Sequence, residues 1–416
     1  MDQPRQFVTR VIAEMEMKIL QVSPAYYPAL SFGGPIMTTL ALNRLLCKRH
    51  QVTTLTTPLG LNRAELDRVR FDVPVQSPCG SSLVYQPYSG YQHFTWSPAS
   101  LAWLRRNAQK FDVVMLQGVW NFPLMAAAWV CQQYGIPYVV FPHGTLSEDA
   151  VKLRSGLKKR VMFTLFVKRM LERACCVVCT TAFEVAKVRS HLHLNIDTAV
   201  IPNIVDDTEF IPLPSRGLLR HNLGISDETT VLLHLGRVSP VKRLSTTVKV
   251  LAKLRAAGKS VALLVVGGDD SGHQSEIVQL AAELGVTIDV HFTGLVGRDA
   301  SIQALVDADI FILPSLSENF GMAVAEAMLA RLPVVISDHV GLAQDVEAAG
   351  AGVVVPLAAG DEAFAKAVSE LIDDPSRRMA LIEAGHAFVK ATYCEAVVAS
   401  QMESLLRDVK VRVLHE

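Results

Sequence analysis

Short apolar runs alternate with amphipathic stretches along most of the chain. In the first half the runs are KILQVS (18–23), QVTTLTT (51–57), DVVMLQG (112–118), PYVVFPHG (137–144), CVVCTT (176–181) and TAVIPN (198–203). Helix-period segments such as PIMTTLALNRLL (35–46) and FPLMAAAWVCQQY (122–134) separate most of them. A second series comprises TVLLHLG (230–236), VALLVVGG (261–268), DVHFTG (289–294), DIFILP (309–314), PVVISD (333–338) and GVVVPL (352–357), again with helices between, such as STTVKVLAKLRAAG (245–258). Continuous apolar runs of strand length predict strands buried on both faces, and intervening helices predict parallel crossovers. The fold class that follows is α/β, with two doubly wound, Rossmann-like domains. Such sheets bind ligands at the carboxyl ends of their strands, so two of them facing each other would form a cleft.

Two segments break the rhythm. Residues 58–100, rich in Pro, Gly, Ser, Tyr and Gln, read as an excursion with loops at one sheet edge, near an acceptor site. Around PNIVDDTEFIPLPSRG (202–217) prolines and acids cluster, which marks a domain boundary. The expected division is a first domain over 1–205, a second domain over 206–390, and a C-terminal helix in 391–416 that packs back toward the first. Residues 1–16 read as an extension or a misassigned start, because MKILQVS (17–23) opens like a first strand.

Composition narrows the classes. The chain has 416 residues, half of them hydrophobic (50%) and 19% charged, which is globular rather than disordered. Lys+Arg and Asp+Glu are equal at 40 each, so no global charge favours nucleic acid. Seven cysteines are scattered, three of them in CCVVC (175–179), which reads as a buried strand in a reducing compartment rather than a metal site. No signal peptide is visible, and no run of about 18 apolar residues predicts a membrane span. A cytoplasmic location follows as the expectation. The stretch 157–173, with Lys158, Lys159, Arg160, Lys168, Arg169 and Arg173 among apolar residues, reads two ways. It is either an ordinary helix of the first domain or a peripheral contact with the inner face of the plasma membrane.

Candidate chemistry collects at strand ends. Arg237 and Lys242 follow the first strand of the second series. Two cations there suit a pyrophosphate, since Arg binds phosphate bidentately and Lys adds a point charge. The plainer reading is a solvated loop. In SENFGMAVAE (317–326) a helix is expected to begin near Gly321 or Met322, with amides that favour an anion or sugar hydroxyls. Phe320 and Gly321 would let backbone approach a ligand. Glu326, a turn further in, suits a ribose diol, and Glu318 is placed to face a reacting sugar; alternatively Glu326 complements the helix dipole and Glu318 is exposed. Gly33 and Gly34 precede Pro35, which reads either as an ordinary turn or as a helix start open to a phosphate or an acceptor. His143 ends a strand beside Gly144, where a histidine is either a core residue or a ligand contact. No GxGxxG follows a strand and no Walker sequence occurs, so nicotinamide and P-loop chemistry lack their signatures.

Together these residues resemble the retaining glycosyltransferases of the family 4 type, with the two-domain GT-B fold. The resemblance spans nearly the whole chain: FGG (32–34), HG (143–144), PNIVD (202–206), GRVSPVK (236–242), the segment from Glu318 to Glu326 with its FG, and PVV (333–335). It implies that the second domain binds a UDP- or GDP-sugar and the first a saccharide or lipid-linked acceptor. It also implies roles. Arg237 and Lys242 would neutralise the departing diphosphate, Glu326 would hold the ribose, and Glu318 with the amides of Asn319, Phe320, Gly321 and Met322 would hold the sugar. His143 would contact the sugar near its reacting carbon, and Gly34 would approach the phosphate or acceptor. The family usually has Gly where Ile204 stands and often at Arg331, which puts a linker turn and a helix end in question. Gly341 and Leu342 receive only a weak site role.

The implied activity is hexosyl transfer from a nucleoside-diphosphate sugar, with retention, in cell-surface polysaccharide or glycolipid synthesis of a bacterial type. No cofactor is expected. The adjacent aspartates of GGDDSG (267–272) lack DxD spacing, so no metal is expected either. Alternatives are a sugar-nucleotide epimerase on a related fold and a non-catalytic sugar-nucleotide scaffold. The first needs no acceptor; the second has no need of Arg237, Lys242, Glu318 and Glu326 together.

Overall fold

The structure, a computed structural model, describes residues 16–29, 34–91, 94–146, 161–192, 194–269 and 272–415. It divides into two compact units, Met1–Ile204 with Glu395–Glu416, and Val205–Cys394.

Unit 1 carries an eight-stranded sheet of β1 (Lys18–Val22), β2 (Gln51–Thr56), β3 (Val75–Gln76), β4 (Ser82–Tyr85), β5 (Val113–Gln117), β6 (Tyr138–Phe141), β7 (Cys176–Cys179) and β8 (Thr198–Val200). Their order is β3-β4-β2-β1-β5-β6-β7-β8. Only the β3–β4 pair is antiparallel among these; β1 lies between β2 and β5, both parallel to it. The strands are apolar on both faces because helices cover both. Leu20, Val22, Val114 and Leu116 join one core with residues of the Phe122–Tyr134 helix. Ile19, Val113 and Met115 point the other way, into a core shared with the Gly34–Leu46 and Glu395–His415 helices. The irregular 58–100 stretch is less irregular than its composition suggests. Its SLVY segment is β4, paired in parallel with β2, which extends the sheet edge. The strand is too short, and too closely flanked by Ser and Pro, to stand out in the pattern.

Unit 2 carries β9 (Thr230–Leu235), β10 (Val261–Val266), β11 (Val290–Gly294), β12 (Ile310–Leu313), β13 (Val334–Ser337) and β14 (Val353–Val355), all in parallel pairings. Their order is β11-β10-β9-β12-β13-β14. The order reverses between β9 and β12, and ligands of open α/β sheets bind beyond the carboxyl ends of the strands at such a reversal. Leu233, Leu235, Phe311 and Leu313 line one core, and Leu232, Ile310 and Ile312 the other.

Residues 1–15, 30–33 and 147–160 lie outside the described residues. The readings made for 1–15, Gly33, Lys158, Lys159 and Arg160 therefore fall outside the structural account. No described helix is long and apolar enough to cross a membrane. All seven cysteines are free, and Cys176 and Cys179 are buried in β7.

Candidate active site

In unit 2 the loops leaving β9 and β12 meet beside the reversal. Leaving β9, Gly236 has φ 149° and Gly267, after β10, has φ 146°. A Cβ on Gly267 would lie 2.0 Å from the Gly236 carbonyl oxygen, so only glycine lets the two strand ends come this close. Arg237 follows and is exposed. A single 3₁₀ turn, Pro240–Lys242, then sends Lys242 back over Gly236, where a Cβ would meet its Cε at 3.5 Å. The Lys242 ammonium forms an ion pair with Glu318 Oε1, both side chains being largely shielded.

Glu318 is fixed from several sides. Ser315, two residues after β12, donates its hydroxyl to Glu318 Oε1 at 3.0 Å, and its carbonyl accepts the Ser337 hydroxyl at 2.6 Å. The Glu318 N–H donates to His339 O, while Gly341 and Leu342 donate to Glu318 O and Phe320 O. Gly341 thus has a definite task. A Cβ there would stand 2.0 Å from Asn319 O and would break this strap. The Phe320 ring is buried and edge-on to Tyr393 at 5.2 Å, so only its backbone remains for a ligand. Gly321, at φ 106°, is the N-cap of the Met322–Leu329 helix and brings no capping side chain of its own. The N-terminal amides of a helix favour anionic or hydroxyl-rich ligands.

Glu326 lies on that helix and is largely buried, with Oε1 2.6 Å from an Arg298 guanidinium nitrogen. Arg298 also pairs with Glu209 at 2.7 Å and lies 5.5 Å over the Phe210 ring. Burial pushes the Glu326 carboxyl above its ordinary pKa, and Arg298 partly offsets this. His234, on β9, is fully buried, and neither ring nitrogen has a partner. Burial and the nearby Lys242 push it down to about 3, so it stays neutral.

In unit 1 the strand order reverses between β1 and β5. Gly34, the first residue of its helix, is exposed, and a Cβ there would meet nothing. Nothing in the fold itself requires glycine at that point. His143, two residues past β6, has φ 49° and is followed by Gly144 at φ 75°. A histidine in the left-handed region is uncommon, and such outliers concentrate at functional sites. Burial pushes its imidazole down to about 4, so the ring is neutral near pH 7. Its Nε2 is 2.6 Å from Gln117 Oε1.

The sequence-predicted residues thus form two groups. Arg237, Lys242, Glu318, Asn319, Phe320, Gly321, Met322 and Glu326 gather on unit 2, and Gly34 and His143 stand at strand ends of unit 1. Three contributors escaped the sequence reading. Gln117 is the polar last residue of an apolar run. Glu184 stands three residues after Thr181, the spacing of a capping box. Arg298 opens the helix after β11, and nothing in its local sequence marks it as the partner of Glu326. Asp269, of the GGDDSG segment, accepts the backbone N–H groups of His273 at 3.0 Å and Gln274 at 2.9 Å, so it caps a helix. Among the described residues no group of three His, Cys, Asp or Glu is arranged to hold a metal ion.

Two family models match the chain in tandem. "Glycosyl transferase 4-like domain" covers residues 33–203, and "Glycosyl transferases group 1" covers residues 215–388. The chain belongs to the family 4 type of GT-B glycosyltransferases. Among curated relatives of this family, a D-inositol 3-phosphate glycosyltransferase of Nocardia farcinica is 31% identical over 230 residues, 53% of this chain and 50% of that protein. The chain therefore spans about half the length of that relative. A mannosylfructose-phosphate synthase of Agrobacterium fabrum is 25% identical over 344 residues, 76% of this chain and 73% of that protein. Among solved structures, Anabaena HepE in complex with UDP superposes with a TM-score of 0.74 at 19% identity, over 95% of this chain and 100% of that one. A sucrose-phosphate synthase from Thermosynechococcus elongatus gives 0.72 at 21% identity, covering 95% and 100%. These two likenesses establish the GT-B fold of the family.

Proposed function

We propose that this protein is a retaining hexosyltransferase, active without a metal ion, that moves a sugar from a nucleoside-diphosphate donor to a hydroxyl of a saccharide or lipid-linked saccharide. The observation that carries the reading is the grouping at the β9/β12 reversal. Lys242 pairs with a carboxylate, Glu318, that Ser315 also pins, Arg237 stands in the same loop after β9, and a helix with a glycine N-cap starts four residues after Glu318. Transfer breaks the bond between the sugar's anomeric carbon and the diphosphate oxygen, and the electron pair leaves with the diphosphate. Arg237, Lys242 and the amides starting at Met322 are suited to that charge. Glu318 can accept hydrogen bonds from sugar hydroxyls, and Glu326 from the ribose. The acceptor oxygen forms the new bond on the face the diphosphate leaves, and its proton passes to the departing phosphate. No side-chain base is required.

Relatives point to both donor bases. HepE is described in complex with UDP, and a Corynebacterium glutamicum relative is named as GDP-mannose-dependent. We read the cellular role as cell-surface polysaccharide or glycolipid synthesis, on the cytoplasmic side of the membrane, with peripheral lipid contact through the exposed apolar residues of 161–173.

The test is release of nucleoside diphosphate from a panel of UDP-, GDP- and ADP-sugars in EDTA, with a Glu326→Ala control. One donor is expected to turn over slowly without acceptor, with the activity lost in the control. Proton-coupled NMR of a transfer product is expected to show the donor's anomeric configuration. Interconversion of the donor sugar without release of diphosphate would favour the epimerase. Binding of the panel without any turnover, across a range of saccharide acceptors, would favour the scaffold.

A further inference from the structure

The β6 strand ends in a turn that Thr145 closes, its N–H and its hydroxyl both donating to Pro142 O, at 3.1 and 2.6 Å. His143 and Gly144 are consecutive left-handed residues, and only the second is a glycine. A non-glycine residue held there costs on the order of 1–3 kcal/mol and persists only when its surroundings over-determine it. Two buried side chains from outside the turn add to its own hydrogen bonds in holding it.

Glu184 is 3% exposed. Its Oε1 accepts the Gly144 N–H at 2.7 Å, and its Oε2 accepts the Thr180 N–H at 2.7 Å and the Thr180 hydroxyl at 3.0 Å. Its own N–H donates to Thr181 Oγ1 at 3.1 Å. The carboxylate therefore bridges the ends of β6 and β7 and grips the turn directly behind His143. Gln117, the last residue of β5, is 5% exposed and meets the His143 ring at 2.6 Å. It does so while its amide nitrogen stays buried without a partner. Leaving a buried donor unpaired is destabilising, so an apolar residue of the same size would suit the core better. The glutamine is understandable if its contact with the ring matters.

We propose that Gln117 and Glu184 are positioning residues for the transfer reaction, Glu184 fixing the backbone of His143 and Gln117 fixing the orientation and tautomer of its ring. The inference rests on the reading of His143 as a contact of the donor sugar. With the Gln117 carbonyl facing the ring, a neutral His143 carries its proton on Nε2 and presents Nδ1 as an acceptor. A sugar hydroxyl could donate to it there. Were the amide reversed, the proton would sit on Nδ1 and the ring would donate instead.

The experiment uses the full chain with UDP-glucose and GDP-mannose as probes, reading diphosphate release from whichever turns over. The variants are Gln117→Met, which keeps the shape, Gln117→Glu, which keeps only an acceptor, Glu184→Gln, and each of these combined with His143→Ala. Histidine-selective ¹⁵N NMR reads the tautomer, with His143 assigned by its loss in His143→Ala. The wild type is expected to show the Nε2–H form alone, Gln117→Glu to retain a proton on Nε2, and Gln117→Met to show a mixture of the two tautomers. Gln117→Met and Glu184→Gln are expected to lower kcat on the order of 10- to 100-fold, with donor KM changed far less. In the His143→Ala background neither should lower it further. Full multiplicative losses in that background would make both residues merely structural and overturn the proposal. So would an unchanged tautomer and kcat in Gln117→Met. A fully active His143→Ala would instead remove the donor role of His143, and the proposal with it, while leaving the unit 2 donor site standing.

Discussion

Glu326 sits under two opposed influences. Burial favours its protonated form, and the Arg298 guanidinium at 2.6 Å favours the charged one. Burial is the larger, so the carboxyl titrates above its ordinary value. The sign of the linkage follows. A raised folded-state pKa means that the folded protein binds this proton more tightly than the unfolded chain does. That contribution to stability is present below the ordinary pKa and is lost as pH rises through the raised one. Acid therefore does not unfold the protein through this residue; under the proposed function it removes the charge that would accept hydrogen bonds from a ribose. Affinity for the nucleoside diphosphate should fall as pH drops through the raised pKa, and Arg298→Met should shift that fall to higher pH. Titration calorimetry from pH 4.5 to 8 measures both. An acid limb that stays in place in Arg298→Met would show that Arg298 does not tune Glu326.

Secondary-structure elements were the most legible level. Every apolar run read as a strand, from 18–23 to 352–357, contains one. Strands covered on both faces need apolar residues at every position, so the signal is local and redundant. Arg331 shows the same legibility from a departure. It has φ 59°, directly past the Met322–Leu329 helix, the conformation for which glycine is the usual choice. Gln117, Glu184 and Arg298 were not legible, because their partners His143, Gly144 and Glu326 are remote in sequence and only the fold supplies the pairing. The segment 161–173 is intermediate. Val167, Met170 and Leu171 are buried, as in any packed helix, but Val161, Leu165 and Phe166 are 51%, 62% and 54% exposed. Lys168, Arg169 and Arg173 are exposed too. An apolar surface beside cations suits an anionic lipid surface. The protein should co-sediment with phosphatidylglycerol vesicles and not with phosphatidylcholine vesicles, less so at high salt. Combined Leu165→Glu and Phe166→Glu should abolish this with little change in Tm, since exposed positions shift stability by about 0.5 kcal/mol or less. Equal binding to both vesicle types, or by the double variant, would sink the idea.

At the scale of the molecule the chain leaves unit 1 once and comes back to finish it. The Glu395–His415 helix places Val398, Met402, Leu406 and Val409 at helical spacing in the core beneath Ile19, Met115 and Val139, each of the four no more than 2% exposed. Its polar flank reaches Glu403 to His50 at 3.0 Å, Lys410 to Asp112 at 3.3 Å and Arg412 to Asp197 at 2.6 Å. Burying one such apolar side chain contributes about 1.5–3 kcal/mol, so four contribute roughly 6–12 kcal/mol as an upper estimate. A whole domain is stable by only about 5–15 kcal/mol. Ending the chain at Cys394 should therefore unfold unit 1. Unit 2 has its own two cores, built from residues 205–394, and the strand ends of its candidate donor site. Calorimetry of the shortened protein should show a single remaining transition, and the nucleoside diphosphate that binds the intact chain should still raise it. Glycosyl transfer should be lost, because the unit proposed to bind the acceptor is gone. A shortened protein that still transfers sugar would show that the helix is dispensable to unit 1. One that no longer responds to the nucleotide would show that the donor site does not reside in unit 2 alone.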